Sequence, residues 1–134
     1  LKVFGTGGEE ENLQGIAGDL VEFVGMIGED YKYRLMACAK AFIVAAKDED
    51  FGITPVEAMA CGTPVIAYNG GGYQETVTDK TGVFFDELTV ESLKSAVNKL
   101  EKIKIKSEEC RNQAAKISKE KVIRDIHRLV TDLH

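Results

Sequence analysis

The feature that most constrains the fold of this chain is a set of short apolar runs separated by glycines, prolines and charged residues. They are Lys2–Phe4, Val21–Val24, Ala41–Ala46, Pro64–Tyr68 and Val83–Phe85. A strand with one wet face alternates apolar and polar residues. Runs without that alternation suit strands buried on both faces, as in a parallel sheet covered by helices. Helical patterns fall between and after them: Tyr31–Lys40, with Tyr31, Leu35, Cys38 and Ala39 at helical spacing; the short, small-residue stretch Pro55–Cys61; and Gly72–Thr78. Thr89–Lys102 has an apolar stripe of Val90, Leu93, Val97 and Leu100. Ser107–Ile117 follows, then Lys119–Leu133 with Val122, Ile126, Leu129 and Leu133 in line. Alternating strands and helices joined by short loops predict an α/β, Rossmann-like doubly wound parallel sheet that ends in helices. At 134 residues, the chain is expected to be a single domain, residues 1–134.

Composition narrows the function classes. With 44% hydrophobic and 29% charged residues the chain is an ordinary folded domain. No apolar run approaches the ~18 residues that span a bilayer, and no signal peptide is visible. Cys38, Cys61 and Cys110 lack metal-ligand spacing, and both histidines fall in the last eight residues, so no metal site is expected. The odd cysteine count fits a reduced, cytoplasmic setting. Residues 1–87 hold 15 acidic against 6 basic residues, and residues 88–134 hold 7 against 11, for a net charge of −5. The basic tail reads as a solvated helix face or as a patch for peripheral contact with the inner face of a membrane. The acidic total and the lack of interleaved aromatics argue against nucleic acid as a partner.

In a doubly wound fold, ligands bind beyond the carboxyl ends of the strands. Three of those ends are glycine-rich: Gly5-Thr6-Gly7-Gly8, Gly25-Met26-Ile27-Gly28 and Asn69-Gly70-Gly71-Gly72. A fourth, Lys47-Asp48-Glu49-Asp50-Phe51-Gly52, carries acids. The first has Glu10 where a dinucleotide fingerprint needs its last glycine, and Glu9–Glu11 would repel a pyrophosphate, so it reads as a tight strand-to-helix turn lining the cleft. Thr54-Pro55-Val56-Glu57 has the form of a capping box with proline at the first helical position, which puts a helix start at residue 54 or 55. Glu57 then either caps that helix or, if the helix start faces the cleft, grips hydroxyls while free amides near Ile53 and Thr54 meet a phosphate. The three acids at 48–50 read as a solvated loop or, given Phe51-Gly52, as a chain turning inward. Gly70 and Gly71 form a flexible turn or present amides to an anion.

Taken together, Glu49 to Ala67 (EDFGITPVEAMACGTPVIA), Gly71-Gly72-Tyr73-Gln74-Glu75-Thr76-Val77 and Asp79 to Phe85 (DKTGVFF) resemble three successive signatures of family 4 of the retaining GT-B glycosyltransferases. The resemblance runs over residues 1–86 and more loosely beyond. It implies the C-terminal, donor-binding half of a hexosyltransferase, mannosyltransferase-like, of the kind that builds surface polysaccharides. The roles it implies are specific. Glu49, the catalytic candidate, would contact donor-sugar hydroxyls. The amides of Phe51, Gly52 and Ile53 would line sugar and diphosphate, and Thr54 the phosphate. Glu57 would hold the ribose, and Gly25 and Met26 would lie near the base. The donor would be GDP-mannose or a UDP-sugar, the acceptor a glycan or lipid-linked sugar, with no further cofactor and no metal.

The chain also departs from that pattern. The strand and Arg/Lys loop that precede Leu1 in the family, and the acceptor-binding half, are not in it. The piece alone is therefore expected to bind donor weakly and transfer nothing, activity belonging to the full-length parent. A GT-B epimerase or phosphorylase, or a non-catalytic nucleotide-binding module, is the alternative.

Overall fold

The computed structural model describes residues 1–117, 126–128 and 131. The helix expected over Lys119–Leu133 lies largely outside the described residues. The chain divides into two compact units, Leu1–Leu35 and Met36–His134.

In the first unit, β1 (Lys2–Phe4) pairs in parallel with β2 (Glu22–Gly25). The register sets Lys2 opposite Glu22, and their side chains form an exposed ion pair at 2.7 Å. The hydrogen bond to Glu22, and then its charge, raise the Lys2 pKa above the ordinary lysine value. Opposite charges facing across a ladder favour this register, although an exposed pair adds little stability. Between the strands lies α1 (Glu10–Ile16), which follows the strand-to-helix turn and for which the sequence reading gave no bounds. It has no buried residue, so it leaves no apolar stripe to read, and it is favoured at its start by Glu10 and Glu11 against the helix dipole. α2 (Glu29–Cys38) follows, two residues ahead of its expected start, and the division into units falls within it, after Leu35.

In the second unit, β3 (Phe42–Val44), β4 (Val65–Tyr68) and β5 (Gly82–Phe85) form a parallel sheet in that order. The expected single sheet is thus two hydrogen-bonded sheets, one of two strands and one of three. β4 is central, and Val65, Ile66 and Ala67 are each at most 1% exposed. This is the two-sided burial that its unbroken apolar run predicts. One face is covered by α5 (Val90–Lys102), whose Leu93, Ala96, Val97 and Leu100 pack with Ile66, Val83 and Phe85. The Thr89 hydroxyl caps α5 by accepting from the Ser92 amide at 3.2 Å. Val90, which the stripe included, is instead 64% exposed, since the covered face begins one turn later.

α3 (Ile53–Ala60), α4 (Tyr73–Thr76) and α6 (Ser107–Lys116) complete the unit. α3 packs on α6. The Gln113 side-chain amide donates to the Thr76 carbonyl at 3.1 Å, tying α6 to α4. Cys110 is fully buried, and burial pushes its thiol above the ordinary cysteine value.

Two outcomes follow. Ile66→Ala is expected to cost about 2–5 kcal/mol in urea unfolding, against under about 0.5 kcal/mol for Val90→Ala. A thiol reagent near pH 8 is expected to label exposed Cys38 rapidly in the native protein, and Cys110 only as the protein unfolds.

Candidate functional site

The Glu49–Glu57 segment begins just beyond β3. Glu49 is half-buried, and its carboxylate Oε1 accepts a hydrogen bond from the Gly52 amide at 3.1 Å. Gly52 is the N-cap of α3, with φ 76°, in the left-handed region where a side chain is strained. The helix therefore starts at Ile53, ahead of the capping-box expectation of residue 54 or 55. Thr54 is its second residue rather than its cap, and the N-cap glycine has no side chain with which to cap the helix. Two constraints override the Thr-Pro signature: the left-handed glycine and the Glu49 carboxylate that holds its amide. Pro55, at the third helical position, still loses nothing, because amides in the first turn have no helical partner.

The first turn of α3 is open. Ile53 and Thr54 are exposed and Phe51 is 41% exposed, while Glu57, at the fifth helical position, is half-buried. Two hollows, about 240 Å³ at Val3–Gly7 and about 580 Å³ along Lys94–Ile103, are lined by other residues. Among the described residues, no group of three or more His, Cys, Asp or Glu is placed to hold a metal ion.

The second glycine loop is built against the first segment. The Gly72 amide donates to the Glu49 carbonyl at 2.7 Å. A Cβ on Gly71 would overlap that same carbonyl oxygen, and one on Gly72 would lie 2.5 Å from Phe51 Cα. Gly71 also has φ 55°. These glycines therefore first serve a backbone-on-backbone contact. The Gly70 amide is also engaged, by the Tyr68 carbonyl at 2.9 Å, which removes it from the set of anion donors expected from sequence. For the Gly71 amide no acceptor is found among the described residues.

Side chains missed by the sequence reading hold this loop in place. Asn69 donates to Asp86 at 2.7 Å and accepts from Gln74 at 2.9 Å, fixing the loop to the end of β5. Tyr73, read as part of a helical turn and of the second family signature but given no role, is 2% exposed with its ring against Gly52. Burial, and then the nearby Glu49 charge, push its phenol above the usual tyrosine value, with the Ala46 backbone pulling the other way. No local pattern marks any of these residues, because each acts on a partner distant in sequence or across a turn.

Gly25 and Met26 belong to the first unit, whereas Glu49, Phe51, Gly52, Ile53, Thr54, Glu57, Gly70 and Gly71 belong to the second. Gly25 ends β2 with φ 68°, and its carbonyl accepts from the Gly5 amide at 2.9 Å. Met26 beside it is 77% exposed.

The close approach carries a test. Gly72→Ala is expected to cost about 1–3 kcal/mol in urea unfolding. Gly70→Ala, whose Cβ would meet only the Tyr68 ring, is expected to cost less.

Comparison with known proteins places these elements. Residues 1–117 match the family described as glycosyl transferases group 1. Over 103 residues the chain is 35% identical to the GDP-mannose-dependent monoacylated alpha-(1-6)-phosphatidylinositol monomannoside mannosyltransferase of Corynebacterium glutamicum, covering 69% of this chain and 27% of that protein. It is 43% identical over 81 residues to an alpha-1,3/1,6-mannosyltransferase of Dictyostelium discoideum, covering 60% of this chain and 19% of that one. The chain thus spans about a quarter of these relatives' length. Among solved structures, the sucrose-phosphate synthase of Thermosynechococcus elongatus superposes with a TM-score of 0.82 at 30% identity, over 95% of this chain and 35% of that one. A lipopolysaccharide outer core galactosyltransferase does so with a TM-score of 0.85 at 14% identity, over 99% and 40%, and so shares the fold. With the family matched over residues 1–117, the chain belongs to the glycosyl transferases group 1.

Proposed function

We propose that the Glu49–Glu57 segment holds the donor of a retaining hexosyl transfer, in which a sugar passes from a nucleoside diphosphate to an acceptor hydroxyl. One observation carries the reading: a half-buried carboxylate pinned by the N-cap amide of α3, one turn before an exposed helix start. A carboxylate held this way favours hydroxyl donors over anions, as a sugar ring requires. The amides and dipole of the helix start favour the diphosphate beside it. As the sugar leaves, negative charge grows on the diphosphate, and donors already aimed at it lower the barrier. Glu57, one turn along α3, takes the ribose hydroxyls.

GDP-mannose is the favoured donor, because the Corynebacterium relative is GDP-mannose-dependent. A UDP-sugar is the second candidate. The acceptor is a glycan or lipid-linked sugar, and the parent enzyme acts in the cytoplasm at the inner membrane face. Among the described residues no helix is long and apolar enough to cross a membrane.

Titration of the chain with GDP, UDP and ADP, followed by backbone amide NMR, tests the reading. Shifts at Glu49–Glu57 and Gly71 with one nucleotide are expected. Perturbation confined to Gly5–Gly8, or none with any nucleotide at millimolar concentration, would contradict it. Glu57→Ala is expected to weaken the favoured nucleotide about ten- to a hundredfold, the loss of charged hydrogen bonds. Unchanged binding with a stability loss of about 1 kcal/mol would leave Glu57 a structural residue.

A further inference from the structure

We propose that Tyr73 is a positioning residue for Glu49: its ring props the Gly52 backbone and so keeps the Gly52 amide on the Glu49 carboxylate. Its functional consequence rests on the donor reading above; the structural claim does not. A Cβ built on Gly52 would lie 3.0 and 3.3 Å from Tyr73 Cδ1 and Cε1, so the ring lies directly against this glycine. The same Gly52 donates to Glu49 Oε1 at 3.1 Å. The amide just before Tyr73, that of Gly72, donates to the Glu49 carbonyl at 2.7 Å. The start of α4 therefore meets both ends of the Glu49–Gly52 turn, one end by a hydrogen bond and the other by an aromatic ring. Tyr73 is 2% exposed on a helix of four residues, which has little cohesion of its own.

An ordinary core residue would affect the whole unit when truncated, whereas a prop affects the turn. Hydrogen exchange separates the two. In Tyr73→Leu, the Gly52 amide is expected to exchange about two- to tenfold faster, the worth of one hydrogen bond, while amides of Val65–Ala67 keep their protection. Tyr73→Phe, which retains the ring, is expected to match wild type. Should Tyr73→Leu lose the sheet protection as well, Tyr73→Met is measured in its place. Unchanged Gly52 exchange in the truncated variant, or a Phe variant as fast as Leu, overturns the proposal. Binding of GDP-mannose is then compared in Tyr73→Leu, Glu49→Ala and the double variant. Tyr73→Leu is expected to weaken it about two- to tenfold alone and not at all on top of Glu49→Ala. Additive losses overturn the action through Glu49. If Glu49→Ala alone leaves binding intact, the donor reading falls, and Gly52 exchange still decides the role of Tyr73.

Discussion

The second unit depends on one contact, the approach of the Gly71–Gly72 backbone onto the Glu49–Phe51 backbone. A Cβ at either glycine would run into main-chain atoms, which cannot swing aside as a side chain can. The 2.7 Å bond from the Gly72 amide to the Glu49 carbonyl exists only because both Cβ atoms are missing. That bond joins the loop after β4 to the loop after β3. It meets the Glu49–Gly52 turn from which α3 begins. The short α4 is held in place by what it touches rather than by its own helical stability.

This contact also determines the chemical character of the site. Glu49 is neither buried without partners nor loose in solvent. One carboxylate oxygen is held by the Gly52 amide, and the residue is half-buried. On the proposed donor reading, an acid next to a phosphate-binding helix start would be a liability if it swung freely, because it would repel that phosphate. Held back by Gly52, it would face hydroxyls while the open first turn of α3 would face the charge. The geometry separates two opposite electrostatic tasks over a few residues.

How far the sequence foretells this depends on the range of each interaction. The β4 run is legible because two-sided burial removes polar alternation, and α5 is legible because its covered face repeats with the helical period. The start of α3 is misread because Thr54-Pro55 is a strong local signal, while Gly52 gives no sign that it will adopt φ 76°. The bounds of α1 are not legible because nothing on it is buried. The triple glycine after Asn69 stands out, but its purpose does not: a turn, a set of anion donors and a close approach look alike in one dimension. Tyr73 carries no signal, since its partner Gly52 lies in a different loop. Residues named by family resemblance, Glu49 and Glu57, sit on the segment where the structure sets an acid against a helix start.

Diffraction from crystals of the chain soaked with GDP tests the donor assignment most directly. The assignment requires the diphosphate at the Ile53 and Thr54 amides with the ribose hydroxyls on Glu57. A nucleotide seated instead in the hollow at Val3–Gly7, with the first turn of α3 empty, would contradict it.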